Sequence, residues 1–89
     1  MYSVDVTRSF QDDFSRLDAH IASLVLEKVQ WIAMHPEAAR YGVQYLPEDL
    51  KGLQKYRIGH YRVFFWIEHN ARRIVLYRVL HRREAYRHF

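Results

Sequence analysis

The chain has no cysteine, three glycines and two prolines in 89 residues. Without cysteine, neither a disulfide nor a thiolate metal site can hold it together, so stability rests on burial alone, with a narrow margin at this length. The few glycines make no phosphate-cradling loop and no Gly-x-Ser-x-Gly elbow, which removes the ordinary kinase and hydrolase readings. No apolar run approaches the roughly 20 residues that span a bilayer, and the first residues lack a secretory signal pattern. A cytoplasmic protein with no membrane partner is expected.

Metal ligands are also wanting. The six histidines, at positions 20, 35, 60, 69, 81 and 88, include no i, i+4 pair on a helix and no cluster with carboxylates, so neither a metal site nor a cofactor is expected. Glu48 and Asp49 are adjacent in a loop and point apart, which does not suit paired acid–base work.

What is present is a 49% hydrophobic, 16% aromatic composition, that of one packed domain. The charge is unevenly spread. Residues 1–50 carry four Lys/Arg against eight acids, a balance of −4, whereas residues 51–89 carry ten against two, a balance of +8. Eight of those ten are arginine, which grips phosphate bidentately and stacks on bases. A basic half interleaved with aromatics points to RNA, DNA or an acidic protein as partner. The bland alternative is a solvated sheet face.

Tyr2–Val6 alternates as a short half-buried strand. Thr7 or Ser9 can cap the following helix, with Asp12 and Asp13 favouring its positive end. Phe10, Phe14 and Leu17 then give one apolar stripe. Asp18 offers a second cap before Ile21, Leu24, Val25, Val29 and Ile32, and Pro36 stops that run. Two antiparallel helices are predicted, over 8–17 and 19–34. Residues 37–52 read as a loop with a short strand or turn around Val43–Leu46. Three strands follow. Leu53–Ile58 turns tightly at Gly59-His60 into His60–Glu68, and the turn at 69–72 leads into Arg73–Leu80. Alternation puts Val75, Tyr77 and Val79 on one face of the last strand and Ile74, Leu76, Arg78 and Leu80 on the other. Both faces carry large apolar groups, so both must be covered: one by the helices, the other by the C-terminal tail or a bound partner. The predicted fold is α+β, a twisted, mainly antiparallel four-stranded sheet with a helical hairpin on one face, in a single domain over 1–89.

The candidate site is the cationic set Lys51, Lys55, Arg57, Arg62, Arg78, His81, Arg82, Arg83 and Arg87, with Tyr86. Such groups around a phosphodiester stabilise the charge of a pentacoordinate transition state, and a lysine or histidine can move the proton. Binding without chemistry suits the same residues. Arg62 has a competing reading as a cross-strand partner of Glu68 or Glu84, His81 as a strand-end hydrogen-bonder, and Tyr86 as an aromatic folded onto the sheet.

Three pieces in order, LKGLQKYRI, GHYRVFF and VLYRVLHRREAYR, behind two helices, make the chain similar to the RelE/ParE toxin superfamily of bacterial type II toxin–antitoxin systems, across essentially its whole length. The resemblance implies a RelE-like β-α-α-β-β-β fold with a short C-terminal helix or tail, and a cognate antitoxin whose acidic or amphipathic segment wraps the basic face. On the RelE side it implies ribosome-dependent cleavage of mRNA without a metal. Arg62 then meets the scissile phosphate, Arg82 (or Arg83) matches the arginine after the last strand, and Tyr86 orients the RNA. Lys55 and Arg57 fall near the second-strand basic pair, and His81 is placed as acid or base. Lys51, Arg78, Arg83 and Arg87 join as RNA-binding residues. On the ParE side it implies a poison of DNA gyrase that cleaves nothing. The chain departs from the RelE pattern in having one lysine and one arginine where two lysines stand. Its Arg78-Val79-Leu80-His81 resembles ParE endings, while Tyr86 resembles RelE.

Overall fold

A computed structural model describes residues 1–38 and 42–89; residues 39–41 of the predicted loop lie outside it. Strand β1 is Ser3–Val6, followed by helices α1 (Arg8–Ser15) and α2 (Ala19–Met34). Strands β2 (Gln54–Ile58), β3 (Tyr61–Glu68) and β4 (Arg73–His81) come next, and helix α3 (Arg82–His88) closes the described chain. The two helices start where their caps predict. Thr7 Oγ1 accepts from the Phe10 amide at 3.1 Å and Asp18 Oδ1 from the Ile21 amide at 2.9 Å, each satisfying a donor that helix geometry leaves orphaned. The intervening segment holds two short 3₁₀ turns, Pro36–Ala38 and Glu48–Leu50, and an isolated bridge from Gly42 to Gln54.

The sheet order is β1-β4-β3-β2, with β1 parallel to β4 and the other pairings antiparallel. The predicted fold class holds. Helices α1 and α2 cover one face, where Phe10, Val25, Val29 and Ile32 pack on Val63, Phe65, Ile74, Leu76 and Val79. A smaller cluster on the other face joins Leu53, Phe64, Leu80 and Ala85. The tail is therefore a helix and covers the second face itself. Its Ala85 is buried, and Phe89 stacks on Phe64 with ring centroids 4.4 Å apart.

Two predicted patterns are corrected. All four β1 residues are exposed, Val4 at 37% and Val6 at 42%, because β1 is an edge strand; of that segment only Tyr2 packs against the main core. The alternation of β4 also breaks. Phe64 pairs with Arg78 but Phe65 pairs with Leu76, so the strand carries one extra residue, a β-bulge. Beyond the bulge the faces exchange, and Val79 rather than Leu80 points at the helices. A period of two cannot foresee this, since a one-residue slip inverts every later side chain.

Candidate nucleic-acid interface

The β2–β3 hairpin turns on Gly59-His60, with φ of +58° at Gly59, a conformation that glycine adopts without strain. Its register sets Arg57 directly opposite Arg62, and Lys55 opposite Phe64. Residues directly opposed across an antiparallel ladder share a face, and Phe64 lies in the cluster away from α1 and α2. Lys55, Arg57 and Arg62 therefore stand together on the face that α3 crosses. With Tyr56 they line an open depression of about 500 Å³.

The electrostatics of this hairpin work against the fold. Like charges opposed across a ladder destabilise it, and none of the ion pairs among the described residues includes Lys55, Arg57 or Arg62. Glu68 is taken by Arg73, whose Nε donates at 2.7 Å, and Glu84 by Arg87 at 3.4 Å, so neither acid serves Arg62. Instead Arg62 Nη1 donates to the carbonyls of Gly59 at 3.1 Å and Tyr61 at 2.9 Å, which holds the guanidinium at the turn. Converting Arg57 to glutamate replaces repulsion with an attractive cross-strand pair. Thermal unfolding of Arg57→Glu is expected to show a Tm a few degrees above the parent, while its affinity for a single-stranded RNA oligonucleotide in a filter-binding assay falls roughly tenfold or more.

Helix α3 forms the second wall. The Arg82 amide donates to the His60 carbonyl at 2.7 Å, so the helix begins at the same turn that holds Arg62, and it ends with Phe89 on Phe64. It thus runs along β3 above the Arg62 face. Arg82 and Tyr86 are i, i+4 neighbours on one stripe of it. Arg82 is exposed, and Tyr86 is 73% exposed, so Tyr86 does not close the core and is free to stack on a base.

The remaining candidates lie elsewhere. His81 is opposite Tyr61, and their rings meet edge-on at 5.4 Å, which puts it on the other side of the sheet from Arg62. Its Nδ1 accepts from the Arg83 amide at 3.3 Å, capping α3. The Nδ1 lone pair is thus engaged by the helix's own amide. Lys51 sits in the loop, where its carbonyl accepts from Trp66 Nε1 at 3.0 Å and its ammonium approaches Glu48 at 4.0 Å. Arg83 and Arg87 are exposed on α3. Arg78 is turned away to α1, where its Nε and Nη2 donate to Asp13 at 2.6 Å and 3.0 Å. Among the described residues no group of three His, Asp or Glu side chains could hold a metal ion.

A family model described as the ParE toxin of a type II toxin–antitoxin system, parDE, matches residues 4–86. The chain belongs to the ParE toxin family. Its fold is similar to that of a chain in a RelBE toxin–antitoxin complex from Mycobacterium tuberculosis, at 26% identity over 90% of each chain with a TM-score of 0.75. The isolated RelE toxin of E. coli is similar at 14% identity, over 99% of this chain and 98% of that one, with a TM-score of 0.73. A YoeB/ParE toxin from Agrobacterium tumefaciens is similar at 19% identity, over 89% and 96%, with a TM-score of 0.67. The last two speak to the fold alone. Among proteins of curated function no match is found.

This ParE-family chain also holds a residue that the sequence reading misplaced. Asp13 is 7% exposed, and besides both Arg78 nitrogens it accepts the Val79 amide at 3.1 Å. It does not favour the exposed start of α1 but faces inward. The signal was its place three residues after Phe10, on the apolar stripe itself. Hydrogen bonding to Asp13 raises the Arg78 pKa above the usual arginine value, against the opposing effect of burial, so the guanidinium stays charged.

Proposed function

We propose that this toxin is a metal-independent endoribonuclease that cuts mRNA in the ribosome, in the cytoplasm. The observation that carries the reading is the set of Lys55, Arg57 and Arg62 on one sheet face, free of carboxylate partners among the described residues and held at a cost to the hairpin. A structural role does not account for opposed arginines, whereas a phosphodiester seated between them does.

In the proposed reaction the ribose 2′-hydroxyl attacks the adjacent phosphorus and the bond to the 5′-oxygen breaks, leaving a 2′,3′-cyclic phosphate and a free 5′-hydroxyl. Arg62 and Arg82 hold the non-bridging oxygens as charge builds on them. Lys55 takes part in proton transfer, Arg57 binds the flanking backbone, and Tyr86 stacks on a base. His81 supports the site as the cap of α3 and not as a base, and Arg78 is assigned a structural role beside Asp13.

The partner proposed for regulation is a cognate antitoxin, since solved relatives include toxin–antitoxin complexes. Its acidic segment would cover the same cations. A second reading, favoured by the ParE identity of the matching family model, is a toxin that binds DNA gyrase and cleaves nothing. Primer extension on an mRNA programmed into ribosomes separates the two. Cuts at the A-site codon are expected with the protein and absent without it. Growth arrest with DNA-damage signalling and no cuts would move the function to gyrase.

A further inference from the structure

The bulge in β4 lies between strand β1 and helix α3, and a side chain of α1 contacts the strand beside it. Strand β1 pairs with β4 only as far as Val6 with Leu76, so beyond that point the outer edge of β4 has no neighbouring strand among the described residues. Two of its backbone groups are met by side chains instead. Thr7 Oγ1 donates to the Tyr77 carbonyl at 2.8 Å, and Asp13 accepts the Val79 amide at 3.1 Å. Those two contacts bracket Arg78, at the bulge, and Arg78 itself closes on Asp13 through two nitrogens.

We propose that Asp13 is a positioning residue for the site. By holding Val79 and Arg78 it fixes the extra residue of β4, and the extra residue sets the phase in which the strand ends. In the observed phase Leu80 faces Phe64 and the chain leaves His81 toward the Arg62 face, so Ala85 and Phe89 land on Phe64 and Leu80. Without the bulge the alternation from Ile74 and Leu76 would put Leu80 against α1 and α2, and α3 would lose its footing on the second face. Asp13 touches none of the site residues, yet it places the helix that carries Arg82 and Tyr86. The functional half of this inference rests on the endoribonuclease reading; the structural half does not.

The test compares Asp13→Leu/Arg78→Leu with Asp13→Asn. The double variant removes the pair as a unit, so no lone buried charge remains and the domain keeps a packed core. The Asp13→Asn change keeps a side-chain oxygen for the Val79 amide. Two measurements on the whole chain need no activity: amide exchange along α3 and the nuclear Overhauser contact between the Phe64 and Phe89 rings. In the double variant α3 amides are expected to exchange roughly a hundredfold faster or more while β1 to β3 stay protected, and the ring contact is expected to vanish. Asp13→Asn is expected to retain both. Protected α3 amides and an intact ring contact in the double variant would overturn the proposal, and so would equal loss in the two variants. Release of α3 with mRNA cleavage intact supports Asp13 as the pin and counts instead against the roles given to Arg82 and Tyr86.

Discussion

Replacing Arg62 by alanine is expected to lower ribosome-dependent mRNA cleavage by about 10²- to 10³-fold, the effect of removing one preorganised donor from a developing oxyanion. The geometry behind the figure is specific. Arg62 is held by the carbonyls of Gly59 and Tyr61, so in the proposed reaction it would meet the phosphate without reorganising, and Arg57 stands across the ladder from it. The same change relieves the repulsion between the two arginines, so the fold is not expected to suffer. Thermal unfolding of Arg62→Ala should therefore show a Tm equal to or slightly above the parent. Primer extension and induced growth arrest check the first half; calorimetry checks the second. A toxic Arg62→Ala protein would remove the residue from the mechanism, and a large fall in Tm would return it to a structural role.

The largest stability loss is expected at Asp13→Ala, at about 3–5 kcal/mol. The substitution leaves the Arg78 guanidinium, 23% exposed as a side chain, without its carboxylate, and strips the acceptor from the Val79 amide. Each is a desolvated group without a partner, which is where large single-site losses arise. A domain this size has about 5–15 kcal/mol in all, so the variant should unfold at far lower urea than the parent, measurable by circular dichroism. The arginine half of the pair brings no pH dependence near neutrality. A pKa raised in the folded state gives stability that is complete below the ordinary arginine value and is lost only as pH rises through the raised one. An Asp13→Ala protein with the parental urea midpoint would show the pair to be dispensable.

Much of this was legible in the residues, for physical reasons that differ by element. The two helices announce themselves through caps and periodicity, and Thr7 and Asp18 sit where the first amides need acceptors. The Gly59-His60 turn is legible because few residues tolerate its backbone. Alternation in β3 placed Arg62 on the face away from Tyr61 and Val63, and that survives in the structure. What failed did so at β4. A bulge leaves no periodic mark, and with it went the facing of Val79 and Leu80. The side of the sheet on which His81 stands, beside Tyr61, follows from the same phase. Arg78 looked like its neighbours because charge in a sequence says nothing of whether a carboxylate 65 positions earlier has already claimed it.

The contacts at the end of β4 bear on more than the site. An unpaired strand edge is a template on which a second molecule can add a strand. Strand β1 shields only the first part of β4, and beyond it Thr7 and Asp13 occupy the Tyr77 carbonyl and the Val79 amide. A neighbouring chain adding a strand there would have to displace both contacts, beside the Arg78–Asp13 pair. The side chains that set the phase of the last strand thus also close its edge to unwanted association.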